Sequence, residues 1–229
     1  MKRVYRHELK FFCTEAELQM IENKIKHICM KDPYAGPEGV YRIRSMYFDT
    51  YDSRCYRENE DGTDNREKYR IRIYNGSDAV IKLERKGSVH DRKYKDSCGI
   101  TRNQCEQMLQ GYPVTNVLPE QEVLREFLAE RAMEFLRPWV IVEYVRTPYI
   151  YPVGNVRITF DRYITSSNSM DLFGRDIPGR GITPEQMHLL EVKYDEFLPA
   201  AILELLNGTC SLSRTSFSKY ALCRKYSIR

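Results

Sequence analysis

Residues 68–95 read KYRIRIYNGSDAVIKLERKGSVHDRKYK, and the rest of the chain is understood outward from this stretch. Two runs of alternating side chains flank Asn75-Gly76-Ser77-Asp78, a turn signature. Side chains on a strand repeat every two residues, so Lys68, Arg70 and Arg72 share one face of the first run. Lys82, Glu84 and Lys86 share one face of the second, with Tyr69, Ile71, Ile73, Ile81 and Leu83 on the opposite side of the hairpin. Between Arg66 and Lys95 ten basic residues stand against four acidic ones. Such a local excess suits an anionic partner: nucleic acid, phosphates or a lipid surface.

The whole chain of 229 residues has a net charge of only +4, so the charge is concentrated rather than abundant. A hydrophobic fraction of 42%, with 17 Tyr and 9 Phe, supports a real core and excludes global disorder. No repeat, low-complexity tract or linker divides the sequence, so one domain over 1–229 is expected. Seven cysteines form no CxxC and no metal-like grouping with His7, His27, His90 and His188. Reduced structural thiols, incidental histidines and a cytoplasmic location are therefore expected, with neither a signal peptide nor a membrane span.

Outward from the hairpin, the same alternation returns. Tyr5 to Phe12 reads as a strand followed by a helix opened by a Thr14/Glu17 capping box, with Leu18, Ile21, Ile25 and Ile28 as its apolar stripe. Val40 to Asp49 is a strand, and a polar segment (Glu58 to Asn65) links it to the hairpin. Thr101 with Gln104 caps a short helix, and Pro119 to Leu136 forms a longer one through Leu124, Phe127, Leu128, Ala132 and Phe135. Strands follow at Trp139–Arg146, Asn155–Tyr163 and Met187–Tyr194. A Gly/Pro-rich loop spans Met170 to Pro184, Pro199–Leu206 is a helix, and Ser213 to Tyr226 runs from a strand end into a helix.

Arg6/Glu8/Lys10, Arg157/Thr159/Asp161 and Glu191/Lys193 repeat the hairpin's pattern of charge at alternate positions. On parity alone, an open antiparallel sheet with a solvated face is the simpler account. Closed on that face and covered by helices outside, the same sheet would be a barrel with a charged lumen. Arg forks match phosphate oxygens and Lys supplies point charge. Glu8, Glu84, Asp161 and Glu191 could relieve crowding among the bases, and hard carboxylates of this kind suit Mg²⁺ or Mn²⁺. Glu8 and Glu84 read equally well as metal ligands or as salt-bridge partners. Asp49 reads as a strand terminator, and Tyr41, Tyr47 and Tyr69 as packing beneath helices.

Taken in order, RHELKF (6–11), SMYFDT (45–50), KYRIRIY (68–74), KLERK (82–86), the Lys93/Lys95 pair, VRITFD (156–161), LLEVKYD (189–195) and SFSKY (216–220) cover nearly the whole chain. In this ordered set the sequence resembles the VTC domain, the catalytic domain of the vacuolar transporter chaperone polyphosphate polymerase, within the CYTH/triphosphate tunnel metalloenzyme superfamily. The resemblance implies an α+β fold, a closed antiparallel β-barrel tunnel of about eight strands with helices packed outside. It implies an enzyme that moves the γ-phosphoryl of ATP onto a growing polyphosphate chain with Mn²⁺ or Mg²⁺. By position it implies phosphate contacts from Lys10, Arg70, Arg72, Lys86, Arg146, Arg157 and Lys219, and from either Lys93 or Lys95. Arg70, Arg72, Lys86 and Lys219 are the expected catalytic residues, Glu191 the metal-binding carboxylate, and Lys193 and Ser218 their neighbours. Lys68 has no family match and drops back to a strand-entrance residue.

One departure matters. Hydrolase members of the superfamily carry ExExK in the first strand, whereas this chain has Arg6-x-Glu8-x-Lys10. The resemblance therefore favours the polymerase-like branch over hydrolysis of tripolyphosphate or nucleoside triphosphates. A non-catalytic polyphosphate- or nucleotide-binding module is the third reading, and a nucleic-acid binder a distant fourth. The SPX domain and membrane helices of the eukaryotic complex have no counterpart in the sequence, which leaves a membrane-protein partner as an expectation.

Overall fold

Alternation in the hairpin becomes two strands, β4 (Arg66–Tyr74) and β5 (Ser77–Val89), paired antiparallel with Arg70 opposite Glu84 and Lys68 opposite Lys86. The turn closes on Asn75 and Gly76 alone, with φ of 52° and 70°. Asn and Gly tolerate this left-handed pair, which matches the twist of the flanking strands. The computed structural model describes residues 4–89, 92–184, 186–208 and 212–226, so His90 and Cys210 lie outside it.

The remaining elements are β1 (His7–Thr14), α1 (Glu15–Ile25), β2 (Met30–Lys31), β3 (Tyr41–Asp49), α2 (Arg54–Glu60), β6 (Arg92–Gly99), α3 (Arg102–Gln110), α4 (Glu122–Glu134), β7 (Arg137–Tyr151), β8 (Val156–Ser167), β9 (Arg180–Gly181), β10 (Met187–Tyr194), α5 (Ala200–Asn207), β11 (Ser213–Arg214) and α6 (Lys219–Lys225). Eight long strands form one antiparallel sheet in the order β1-β10-β8-β7-β3-β4-β5-β6, with β11 beyond β1. Its two ends approach each other at Arg6 and Lys93, which exchange backbone hydrogen bonds of 3.0 and 3.2 Å. Among the described residues the ladder goes no further round. The closed barrel expected from the sequence is thus a curled sheet whose ends meet at a single bridge.

Helices α3 and α4 cover the outer face of the hairpin, where Phe127 packs edge-on against Tyr69 and Phe48 above Ile71 and Leu83. Full burial of each such side chain contributes about 1.5–3 kcal/mol. Helix α1 does the same for β8 and β10 through Leu18, Ile21 and Ile25, and its Thr14/Glu17 capping box forms as expected. Ile28 lies beyond that helix and is exposed, as is Phe135 beyond α4. Among the described residues no helix is long and apolar enough to cross a membrane.

The expectation that all helices lie outside needs correcting. Helix α6 sits on the inner face, where its Tyr220 packs on Tyr47, and Tyr47 in turn accepts a hydrogen bond from Arg70. The register of β3 against β4 also corrects the tyrosines. Tyr47 lies opposite Arg70, so Tyr41 and Tyr47 share the charged face, while Arg44 points outward to Glu143 and the carbonyls of Leu172 and Gly174. Tyr69 packs beneath an outer helix as expected, whereas Tyr47 meets a helix on the inner face instead. The inner face is therefore charged at its middle and apolar where α6 packs on it. Asp49 terminates β3 as foreseen, its Oδ1 accepting from the amides of Thr50 and Cys55. Helix α2 begins before the segment read as a polar link and ends within it, at Glu60.

Candidate functional site

The hairpin supplies one wall. Fully buried Glu84 accepts hydrogen bonds from Arg70 Nε (2.7 Å) and Lys95 Nζ (2.9 Å), with Arg72 Nη1 at 3.8 Å. Burial alone would raise its carboxyl, but Arg72, Arg70 and Lys95 outweigh burial and hold it well below the usual range. Arg70 also donates to Tyr47 Oη (2.6 Å), and Arg72 to Ser45 Oγ (3.3 Å) and Tyr144 Oη (3.3 Å). The two guanidiniums are thereby fixed from behind by a charge, a serine and two phenols. Preorganised cations of this kind lose little on meeting an anion.

The facing wall comes from β1, β10, β8, β7 and α6. Asp161 takes both arms of Arg146, at 2.6 Å each, and Lys219 Nζ at 2.7 Å. Glu191 takes Lys219 (2.6 Å), Arg146 (3.2 Å) and Lys193 (3.3 Å). Glu8 lies 3.2 Å from Lys193 and 3.5 Å from both Lys10 and Lys86. Burial opposes ionisation of all three carboxyls, yet the surrounding bases keep them lowered. Lys86, a β5 residue reaching Glu8 on β1, joins the two walls; burial drives its ammonium well below the ordinary lysine value.

Two openings share Glu8, Arg70, Arg72, Lys86, Arg146 and Lys193 as wall residues, together with Lys93. Along β1 and the residues before it the lining runs from Val4 and Arg6 at one opening, through Glu8, to Lys10 at the other. The first opening, beside α2 and α6, also holds Lys68, Asn59, Ser218, Lys219 and Tyr144. The second holds Lys95 and Arg157.

Nearly every residue singled out from the sequence thus faces one space. Glu84 and Asp161 are the exceptions: both line neither opening and are buried counter-ions, Glu84 beneath Arg70, Arg72 and Lys95, and Asp161 against Arg146 and Lys219. The choice between Lys93 and Lys95 dissolves, because residues two apart on β6 share a face and both line the cavity. Arg157 sits at the rim, donating to Asp32 and, at 3.2 Å, to Tyr41 Oη. Ser218 caps α6, accepting from the Ala221 amide at 3.3 Å. Sequence reasoning missed Tyr47 and Tyr144 because their neighbours across the sheet were unknown. It also set Lys68 aside, although parity with Arg70 pointed to the same wall.

Glu8 and Glu191 are the carboxylates that could hold a divalent cation. They flank Lys193, and Glu8 Oε1 is buried without a hydrogen bond of good geometry although Lys193 Nζ lies 3.2 Å away. Among the described residues no group of three or more His, Cys, Asp or Glu could enclose an ion. Two carboxylates fit Mg²⁺ or Mn²⁺ whose other ligands are water and substrate phosphates, rather than a cage built wholly of protein.

Comparisons with known proteins agree with this fold. Solved structures of similar fold include a Bacillus halodurans protein proposed as an adenylate cyclase (12% identity, 95% of this chain and 96% of that one, TM-score 0.55). Another is a Hippeastrum protein proposed as an adenylyl cyclase and described as having dominant triphosphatase activity (14% identity, 98% and 97%, TM-score 0.55). A third is a Vibrio parahaemolyticus protein proposed as an adenylate cyclase (15%, 96% and 97%, TM-score 0.51). At such identities the likeness establishes the fold alone. A search of curated proteins finds no match. The family model of the VTC domain matches residues 5–228, and the chain therefore belongs to the VTC domain family.

Proposed function

We propose that the chain is a metal-dependent polyphosphate polymerase that transfers the γ-phosphoryl of ATP to the end of a linear phosphate chain. The observation that carries this reading is a pair of adjoining cation-lined cavities with shared walls, in which few carboxylates are left for metal. In this reading the two cavities join, and a nucleotide and a growing chain approach one centre from opposite sides. Arg6, standing where hydrolase relatives have a carboxylate, is committed to Asp195 (2.8 Å) and the Asn155 carbonyl (2.7 Å).

In this reading Arg70, Arg72 and Lys86 bind the equatorial oxygens of the transferred group and stabilise the charge that spreads over them. Lys219, aligned by Asp161 and Glu191, steadies the leaving or attacking phosphate. Lys10, Arg146, Lys193 and Ser218 hold the flanking phosphates, with Lys93, Lys95 and Arg157 toward the second opening. Glu191 and Glu8 would hold a divalent ion, which would supply positive charge to the phosphates. Water need not be the acceptor, since a terminal phosphate oxygen of the chain serves as nucleophile.

Purified protein incubated with ATP and Mn²⁺ should yield ADP and long-chain phosphate in equal phosphoryl amounts. Orthophosphate without polymer would identify a hydrolase instead. A second reading, a phosphate-chain-binding module, is favoured by the close pairing of Glu191 with three bases. Glu191→Gln separates the two: polymerisation should fall by about a hundredfold or more if a positioned metal is lost, while a pure binding module has no turnover to lose and keeps its affinity.

A further inference from the structure

Lys68 differs from the cations around it. Lys10, Arg70, Lys86, Arg146, Lys193 and Lys219 each lie within ion-pair distance of a carboxylate. Among the described residues Lys68 has no such partner. Its Nζ approaches Asn59 Oδ1 at 3.4 Å and Ser218 Oγ at 3.5 Å, and lies 5.1 Å from the centre of the Tyr220 ring. Facing it are Lys10 from β1, Arg66 and Arg70 from β4, Lys86 from β5, Cys55 from α2 and Tyr220 from α6. Cys55 supplies no compensating charge, because burial pushes its thiol far up. The first opening therefore gathers positive charge around a lysine whose partners are only neutral polar groups and an aromatic ring.

We propose that Lys68, with Ser218 and Asn59, forms a further phosphate subsite, taking the distal phosphate of a linear chain whose inner phosphates lie against Arg70, Arg72 and Lys86. This rests on the phosphate-chain reading of the tunnel. Lys68 and Arg70 are successive inward residues of β4, about 6.6 Å apart along the strand, so a ligand must be extended to engage both. Lys68 donates to the phosphate, and the Ser218 hydroxyl and Asn59 amide add neutral donors. Burial, and next the Lys10 charge, bring the Lys68 ammonium down to about 7. An incoming phosphate supplies the missing negative charge and restores the protonated form, so the subsite gains a proton as it fills.

Isothermal titration at pH 8 with medium-chain linear polyphosphate, in two buffers of different ionisation enthalpy, reads affinity and proton uptake together. At that pH a group titrating near 7 is about one-tenth charged, so wild type should take up about 0.9 proton more than Lys68→Arg, whose charge is permanent. Lys86 is present in both proteins, so the difference reads chiefly position 68. Lys68→Arg should retain affinity, whereas Lys68→Met should weaken polyphosphate binding about tenfold or more and leave pyrophosphate binding unchanged. Equal proton uptake by wild type and Lys68→Arg overturns the subsite, as does undiminished polyphosphate affinity in a folded Lys68→Met. If Lys68→Met fails to fold, the Lys68→Arg comparison decides. Failure of wild type to bind polyphosphate at all would overturn the phosphate-chain reading itself.

Discussion

Glutamine at position 84 should unsettle the charged wall without changing its shape. Glu84 is fully buried, at 2.7 Å from Arg70, 2.9 Å from Lys95 and 3.8 Å from Arg72. Removing one partner of a buried ion network costs about 3–5 kcal/mol, because the remaining charges stay buried without compensation. Glutamine keeps an amide oxygen that still accepts one hydrogen bond, which places Glu84→Gln near the lower end, at about 3 kcal/mol. For a chain of this length that corresponds to a fall in Tm of roughly 6–12 °C. Thermal and urea unfolding at pH 7 measure it. The pH dependence follows from the depressed carboxyl. Its stabilisation is complete above the unfolded-state value and is lost as pH falls through the folded one. The gap between wild type and variant should therefore close only under acid. Polyphosphate at a hundred times its Kd adds about 2.7 kcal/mol to any folded form that binds it, and more to the variant, where it also replaces a missing negative charge. A shift below about 2 °C at pH 7, or one unchanged at acidic pH, would refute Glu84 as the counter-ion of the wall.

Two further substitutions probe how the wall and the seat of α6 are built. Tyr220→Phe removes the hydrogen bond donated to buried Asp49 and should cost about 1–3 kcal/mol in chemical denaturation, loosening the helix that carries Lys219. Gly87→Ala drives a methyl into the Tyr94 ring, so overpacking should cost about 1–3 kcal/mol. Combining it with Tyr94→Ala should give a non-additive double-mutant cycle, because the clash disappears with the ring.

Much of this was legible from the alternation of side chains. Arg70, Arg72, Glu84 and Lys86 could be assigned to one face from β4 and β5 alone, because a period of two admits no other arrangement once the turn at Asn75 is accepted. The capping boxes at Thr14 and Thr101 were equally plain, since spacing and hydroxyl chemistry are local. What could not be read was register between distant strands. Whether Tyr47 lies with or against Arg70 depends on how β3 slides past β4, and one residue of slip reverses the answer. Helix α6 posed the same difficulty. Seven residues with a mixed surface fit an outer or an inner site, and only Lys219 reaching Asp161 and Glu191 decides between them. Glu84 was ambiguous because charge alone cannot distinguish a ligand from a counter-ion; its depth behind the arginines does.

The meeting of Arg6 with Lys93 has a topological consequence. A wall made of one unbroken ladder is a ring, and a long guest enters a ring only by its end. Here the circuit is fastened at that point by two backbone hydrogen bonds, 3.0 and 3.2 Å long, each worth on the order of 1 kcal/mol net. Mechanically this is a clasp rather than a hoop: the cheapest place for the wall to part is along a line between the first and sixth strands. Amides on either side of that line should exchange with solvent sooner than those at the centre of the sheet.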